Sequence, residues 1–194
     1  MAKQSTKEKI VAEGARIILK NGFNNTGVLD VLKAAGIPKG SFYFYFKSKE
    51  DFGLEVIEYF ANTIRRVWID PSARGACSPL EGLRKKFEDA VSYFQSAGCA
   101  GGCPIGNLAQ EMGDLNENFR QRLEEVFREI GNSIAKSLAE AQTQGEIDRS
   151  LDVDQLAEFI LNSWEGALLR MKTEKSIAPL LIFNRVVFGM LVRS

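Results

Sequence analysis

Between Thr26 and Glu50 the chain stops one helix and starts another within a few residues. A short helix over Val28 to Ala35 meets Gly36, and Pro38 follows two positions on. A glycine that can take a left-handed conformation, with a proline just beyond it, is a helix-stop signal. A second short helix is predicted from about Lys39, carrying Ser41, Phe42, Tyr43, Phe44, Tyr45 and Phe46. Two short helices joined by a tight glycine turn form a helix-turn-helix, a module whose second helix enters the DNA major groove. Phe42 and Phe46 stand four apart, so both are expected to face inward on one side of that helix, with Leu32 and Ile37 in the same core.

Helical periodicity governs the rest of the chain, and strand patterns are nearly absent. Ile10, Val11, Ala15, Ile18 and Leu19 predict a first helix over Thr6 to Asn21. Ser48, with Asp51 three residues later, is close to a capping box for a fourth helix running through Phe52, Val56, Phe60, Ile64 and Val67 and ending before Asp70-Pro71. Pro71 to Pro79 reads as a linker rich in Ser, Ala, Gly and Pro. Five more helices are expected: Leu80 to Ala97, Ile105 to Met112, Asn116 to about Gly145, Val153 to Lys172, and Ser176 to Val192. Gly98 to Pro104 breaks the first of these from the second.

Charge is distributed unevenly. The 194 residues carry 25 basic and 25 acidic side chains, yet residues 1–50 hold nine Lys or Arg against four acids, a surplus of +5 that the remainder offsets. A basic head on an acidic body suits phosphate binding by one end only. There is no histidine, which removes the commonest general base and metal ligand. No phosphate loop, dinucleotide fingerprint or paired-carboxylate motif is present, so nothing asks for an enzyme or a cofactor. No apolar run is long enough for a membrane span, and the polar, basic N-terminus is unlike a signal peptide. The expected compartment is the cytoplasm. Three cysteines argue against a disulfide scaffold.

Thr26, the Ala-Ala-Gly turn, Lys39-Gly-Ser-Phe-Tyr, Phe46 and Ser48-Lys-Glu together resemble the DNA-binding signature of TetR/AcrR-type transcriptional regulators. The preceding Lys9-Ile-Val-Ala-Glu-Gly-Ala-Arg-Ile-Ile-Leu-Lys-Asn-Gly-Phe is similar to that family's first helix and its exit. The resemblance implies an all-α fold, with a three-helix head over residues 1–50 and a larger effector-binding and dimerisation body over residues 51–194. It also places Lys39, Gly40, Ser41, Tyr43, Phe44 and Tyr45 on the DNA side of the recognition helix. Lys39 and Ser41 then suit base edges, Gly40 close approach, and Tyr43 and Tyr45 phosphate oxygens. Thr26, expected to N-cap the helix before the turn, and Lys49, at the start of the fourth helix, are expected to clamp the flanking backbone. Phe44 has two readings: it packs on a thymine methyl, or it covers the head. Tyr45 stands where the family usually has histidine, so no base preference carries over.

In the body, the last two helices are strongly apolar and carry Gly166, Ala167 and Gly189, so their surface is either monomer core or a subunit interface. In the resembling family this pair builds the homodimer, and a two-fold dimer reads a near-palindromic double-stranded operator. Phe60, Trp68, Phe87, Phe94, Phe127 and Trp164 suit either core packing or the lining of an apolar small-molecule pocket.

The segment Cys99-Ala-Gly-Gly-Cys103-Pro-Ile-Gly-Asn-Leu-Ala resembles a stretch found in a subgroup that includes electrophile-responsive repressors. Cys103, just ahead of a helix start, has its thiolate favoured by the helix dipole, and Cys99 could resolve an oxidised form. The alternative is a small apolar side chain in a tight turn. A metal site at this pair lacks further ligands. Three functional classes follow: a ligand-released repressor, a DNA-binding accessory protein without effector, and a small helical enzyme using the two thiols.

Overall fold

The computed structural model describes residues 5–69 and 77–191, with the backbone alone at Ile69. Among these residues every regular element is helical. Residues 71–76 of the expected linker, the predicted helix end at Asp70-Pro71 and the last residue of the expected final helix lie outside the described residues. The elements are α1 (Thr6–Asn21), α2 (Val28–Ala35), a 3-10 turn (Lys39–Ser41), α3 (Phe42–Tyr45), α4 (Lys49–Ile64) and a π turn (Arg65–Ile69). They continue with α5 (Pro79–Ser96), α6 (Pro104–Met112), α7 (Glu117–Thr143), α8 (Val153–Glu174) and α9 (Ala178–Leu191).

The chain forms two compact units, divided elsewhere than at residue 50. The described residues up to Thr63 group with Pro104–Val126, so α6 and the first turns of α7 belong with the head. Ile64–Cys103 and Phe127 onward make the second unit.

In the first unit, each helix end has a local chemical cause. The Ser5 hydroxyl accepts from the Glu8 amide at 3.2 Å while the Glu8 carboxylate accepts from the Ser5 amide at 2.8 Å, a reciprocal capping box. Gly36 ends α2 at φ 66°, and the Ile37 amide reaches back to the Leu32 carbonyl at 2.9 Å. That six-to-one bond defines a Schellman stop, and a residue with a Cβ is strained at such a φ. Ser48 accepts from the Asp51 amide at 3.0 Å, as the Ser-x-x-Asp spacing predicts, while Asp51 accepts from the Lys47 amide at 2.9 Å rather than from that of Ser48. Phe42, Phe46 and Phe52 pack ring to ring at 5.1–5.7 Å beneath the turn, each about 1% exposed. Two glycines allow this density. A Cβ on Gly14 would overlap the Phe52 ring, and one on Gly53 would sit 2.6 Å from Phe23 Cε2 and closer still to Phe119. Leu32 is core as expected, whereas Ile37 is only half-buried because it lies past the helix stop.

The second unit is built on α5, the π turn, the rest of α7, α8 and α9. Ser78 caps α5 and itself donates to Glu146 at 2.6 Å; Asn116 and Asp152 cap α7 and α8. The fourth helix ends in a wide turn rather than as regular α-helix. The Trp68 carbonyl in that turn accepts from Ser133 Oγ at 3.0 Å and from the Lys86 ammonium, and the Arg65 guanidinium forks onto Glu129 at 2.7 and 2.9 Å. A π turn loosens the regular ladder, and these side chains take up a carbonyl within it. The last helix is core on one side only. Leu180, Phe183, Val187, Phe188 and Leu191 of α9 are buried, while Leu181, Ile182, Val186 and Met190 on its other side are 47–74% exposed.

Candidate DNA-reading surface and body site

The recognition element is shorter and tighter than a regular helix. Residues 39–41 turn as 3-10, with the Ser41 amide on the Pro38 carbonyl at 3.0 Å, and a single α turn follows before Phe46 extends at φ −135°. The inward pair Phe42 and Phe46 fixes which way the element faces. Lys39, Gly40, Tyr43 and Phe44 are exposed, and Ser41 and Tyr45 are half-buried. Phe44 is 85% exposed, which rules out the reading in which it covers the head. Gly40 has no atom within 4 Å of a Cβ built on it and does not take a positive φ, so the fold itself does not require glycine there.

Of the two flanking residues, Thr26 departs from expectation. Thr26 is 2% exposed and is not the cap of α2; Gly27 holds that position, and the Thr26 hydroxyl donates to the Gly22 carbonyl at 2.6 Å. Its side chain turns inward because the exit from α1 leaves a carbonyl to satisfy. Lys49 lies 4.7 Å from the centroid of the Phe23 ring and donates to the Asn24 carbonyl at 3.3 Å, so its ammonium is pre-positioned at the α1–α2 corner.

That corner has a partner invisible in the sequence. Glu111, near the end of α6, accepts from the Phe23 amide and the Asn24 amide, both at 2.7 Å. Asn24 Nδ2 also meets Met112 Sδ at 3.4 Å. A carboxylate holding two adjacent amides through charge-assisted bonds fixes the loop from which α2 starts. No local motif marks a glutamate 88 residues away for this role. Elsewhere in this unit, a groove between α4 and α7 is lined by Asp51, Glu55, Glu58 and Glu125 with Arg122, which pairs with Glu58 and Glu125. It is acidic and unlike an apolar pocket.

The body site gathers some of the expected aromatics and not others. Trp68, Phe87 and Trp164 meet at centroid distances of 4.8–6.4 Å, joined by Phe183 and Phe188, which pack on Phe87 at 5.0 and 5.9 Å. Phe94 is buried beside Tyr93, Phe127 is half-buried, and Phe60 is buried in the first unit rather than the second. Phe183 and Phe188 lie on a helix whose apolar residues suit a core and an interface alike, so no local pattern singles them out. Asn184, next along from Phe183, holds a buried Oδ1 with no hydrogen-bond partner among the described residues.

Cys103 is half-buried, and Pro104 of α6 follows it directly. Its thiol donates to the carboxylate of Glu165 on α8, the residue beside Trp164. Burial pushes the Glu165 carboxyl above the usual carboxylate range, and the Cys103 bond pulls it partly back. Cys99 is buried with φ 54°, and Cys77, Cys99 and Cys103 are all unbridged thiols. Among the described residues no cluster of His, Cys, Asp or Glu could hold a metal ion, and no helix is long and apolar enough to cross a membrane.

An exposed recognition turn on a basic three-helix head, joined to a helical unit with an aromatic core, defines a helix-turn-helix transcriptional regulator. The model of bacterial regulatory proteins of the tetR family matches residues 10–56, and that of the tetracyclin repressor-like C-terminal domain matches residues 79–187. The chain is 34% identical over all of its length to the HTH-type transcriptional repressor DhaR of Mycobacterium sp. (strain GP1), covering 96% of that protein. It is 39% identical over 94% of its length to the transcriptional regulator AcuR of Cereibacter sphaeroides, covering 83% of it. A crystal structure of the reduced form of Escherichia coli NemR superposes with a TM-score of 0.88 at 26% identity, over 98% of this chain and 100% of that one. The chain belongs to the TetR family of DNA-binding transcriptional regulators. The family comprises regulators, not enzymes, which removes the thiol-enzyme alternative.

Proposed function

We propose that the protein is a cytoplasmic homodimeric repressor, released from a near-palindromic operator when a small apolar or electrophilic effector enters its body. Residues 1–50 read the DNA, and residues 51–194 sense and dimerise. The observation that carries the reading is the recognition turn, where Phe42 and Phe46 are about 1% exposed while Tyr43 and Phe44 are 77% and 85% exposed. A fold that spends two large aromatics on anchoring a seven-residue turn and leaves two others in solvent is presenting the latter to a partner. Lys39 and Ser41 bond to base edges, Gly40 lets the backbone close in, and Tyr43 and Tyr45 donate to phosphates. Lys49 binds the flanking phosphate from the corner. Thr26 contributes by holding that corner from beneath.

Dimerisation uses the exposed sides of α8 and α9, supported by Phe159 and Leu169 on one helix and Leu181, Ile182, Val186 and Met190 on the other, all 47–74% exposed. Gly166 and Gly189 have open space before them, which permits close helix approach. The effector is held against Trp68, Phe87, Trp164, Phe94 and Phe127, with the Asn184 acceptor and the Cys103 thiol as its polar contacts. Phe60 has no part in this site. The relative NemR has been crystallised in what its structure calls a reduced form, which supports a thiol-based signal here. Cys103 precedes α6, and α6 ends on the Glu111 clamp, so a disturbance at the first turn of that helix is passed to the corner that starts α2. An effector shifts the equilibrium only by its differential affinity for the two states.

The test uses a duplex enriched from a randomised pool by the wild-type protein, with binding followed by fluorescence anisotropy. 1,4-Benzoquinone is expected to release wild-type protein, as the Cys103 sulfur bonds to a ring carbon and the thiol proton ends on the quinone oxygen. Cys103→Ser should bind the duplex and ignore the quinone. A serine variant that still responds overturns the thiol reading; a wild-type protein that enriches nothing overturns the operator reading.

A further inference from the structure

The most exposed aromatic in the head is the residue with the least evident reason to be apolar. At 100° per residue, Phe44 lies about 200° round the helix from Phe42, and Phe46, just past the helix end, packs its ring 5.1 Å from that of Phe42. Both of those rings are buried, so Phe44 points directly away from the core. An element held in a major groove by its outer face puts that direction on the groove floor, where base edges are, and turns its flanks toward the walls, where phosphates are. Tyr43 and Tyr45 occupy the flanks. Gly40, one turn earlier on the Phe44 side, leaves nothing within 4 Å of its missing side chain, so the surface recedes there and the backbone can sit deep. The Phe44 ring meets Tyr45 edge-on at 5.1 Å, which props it outward.

A phenyl ring neither donates nor accepts a conventional hydrogen bond, so it serves neither phosphate nor a polar base edge. The one apolar feature that base pairs present in the major groove is the pyrimidine C5 methyl group. The lysines on the same unit, Lys33, Lys39 and Lys47, are exposed, which favours DNA over an apolar protein partner as the occupant. We propose that Phe44 reads the C5 methyl of a thymine on the floor of the operator's major groove. This rests on the DNA-reading role of the turn and adds what one residue recognises there.

The experiment takes the duplex enriched by wild-type protein and replaces each thymine in turn with 2′-deoxyuridine, which removes the methyl and nothing else. At one position in each half-site the replacement should weaken wild-type binding about fourfold, the worth of burying one methyl-sized group. Phe44→Ala should bind the thymine and deoxyuridine duplexes equally, while Phe44→Leu, still apolar, keeps part of the difference. The penalty should be unchanged between about 50 and 200 mM salt, unlike the loss from Lys39→Ala, which changes the salt slope. A duplex whose affinity is indifferent to every deoxyuridine, or a Phe44→Ala protein that keeps the full penalty, overturns the proposal while leaving the DNA-reading role intact. A wild-type protein that enriches no duplex overturns both.

Discussion

Gly40→Ala separates what the head needs for folding from what it needs for DNA. No atom lies within 4 Å of the Cβ that alanine adds, and Gly40 is absent from the positive-φ glycines, so the new methyl neither clashes nor strains the backbone. Alanine also restricts the unfolded chain. The protein should therefore be as stable as wild type or more so, by up to about 1 kcal/mol. For a chain of this size that is a rise in melting temperature of at most about 4 °C. On DNA the sign reverses. A methyl inserted where backbone and base edges are in contact costs about 1–3 kcal/mol, the usual penalty for overpacking. That corresponds to roughly 5- to 150-fold in Kd. Thermal melts and anisotropy titrations on one preparation read both numbers. Unchanged affinity would show that the backbone does not approach DNA at this point. A melting temperature several degrees lower would show that the glycine serves the fold after all. Gly53→Ala is the opposite control: its Cβ would lie 2.6 Å from the Phe23 ring, so stability should fall and affinity only follow it.

Three further outcomes are expected. Glu111→Ala removes the acceptor of the Phe23 and Asn24 amides, so the protein should lose about 1–3 kcal/mol in urea unfolding and bind operator more weakly; a loss below about 0.5 kcal/mol refutes the clamp. Glu165→Gln should stabilise the protein increasingly as pH rises. The half-buried carboxyl titrates above its unfolded value, so the unfolded chain ionises first and wild-type stability is lost upward from the ordinary carboxylate range, a loss the amide does not share. A wild-type-to-variant gap equal at acidic and neutral pH contradicts this. Val186→Glu places a charge on the exposed side of α9 and should yield a monomer in sedimentation velocity without lowering helicity; a variant that remains dimeric argues for another interface.

The head was legible because its signals are local. Gly36 with Pro38 and Ser48 with Asp51 each act within four residues of sequence: Gly36 takes the left-handed φ that stops α2, and Ser48 accepts from the Asp51 amide. Phe42 and Phe46 could be assigned inward from their spacing alone. Errors began where a side chain had two acceptable partners. Thr26 has the chemistry of an N-cap, but its hydroxyl donates to the Gly22 carbonyl four residues back, and tertiary packing buries it there. Lys39 to Ser41 form a 3-10 turn because Pro38 contributes no amide and the chain must turn sharply between Gly36 and Phe42.

The body was legible only in outline, for a physical reason that α9 makes plain. A helix apolar on every side satisfies a core and an interface equally well, and its periodicity is too weak to say which residue does which. Packing decides: Phe183 and Phe188 turn onto Phe87, while Val186 and Met190 face outward. The same limit hides Glu165, whose neighbours in sequence suggest an exposed carboxylate on an apolar helix. Only the fold brings it to Cys103, 62 positions earlier, and partly out of water. Residues that sense an effector are of this kind, chosen by distance in space and by the solvent they exclude. A DNA-reading turn, by contrast, is written in consecutive residues because the helix that carries it is only four residues long.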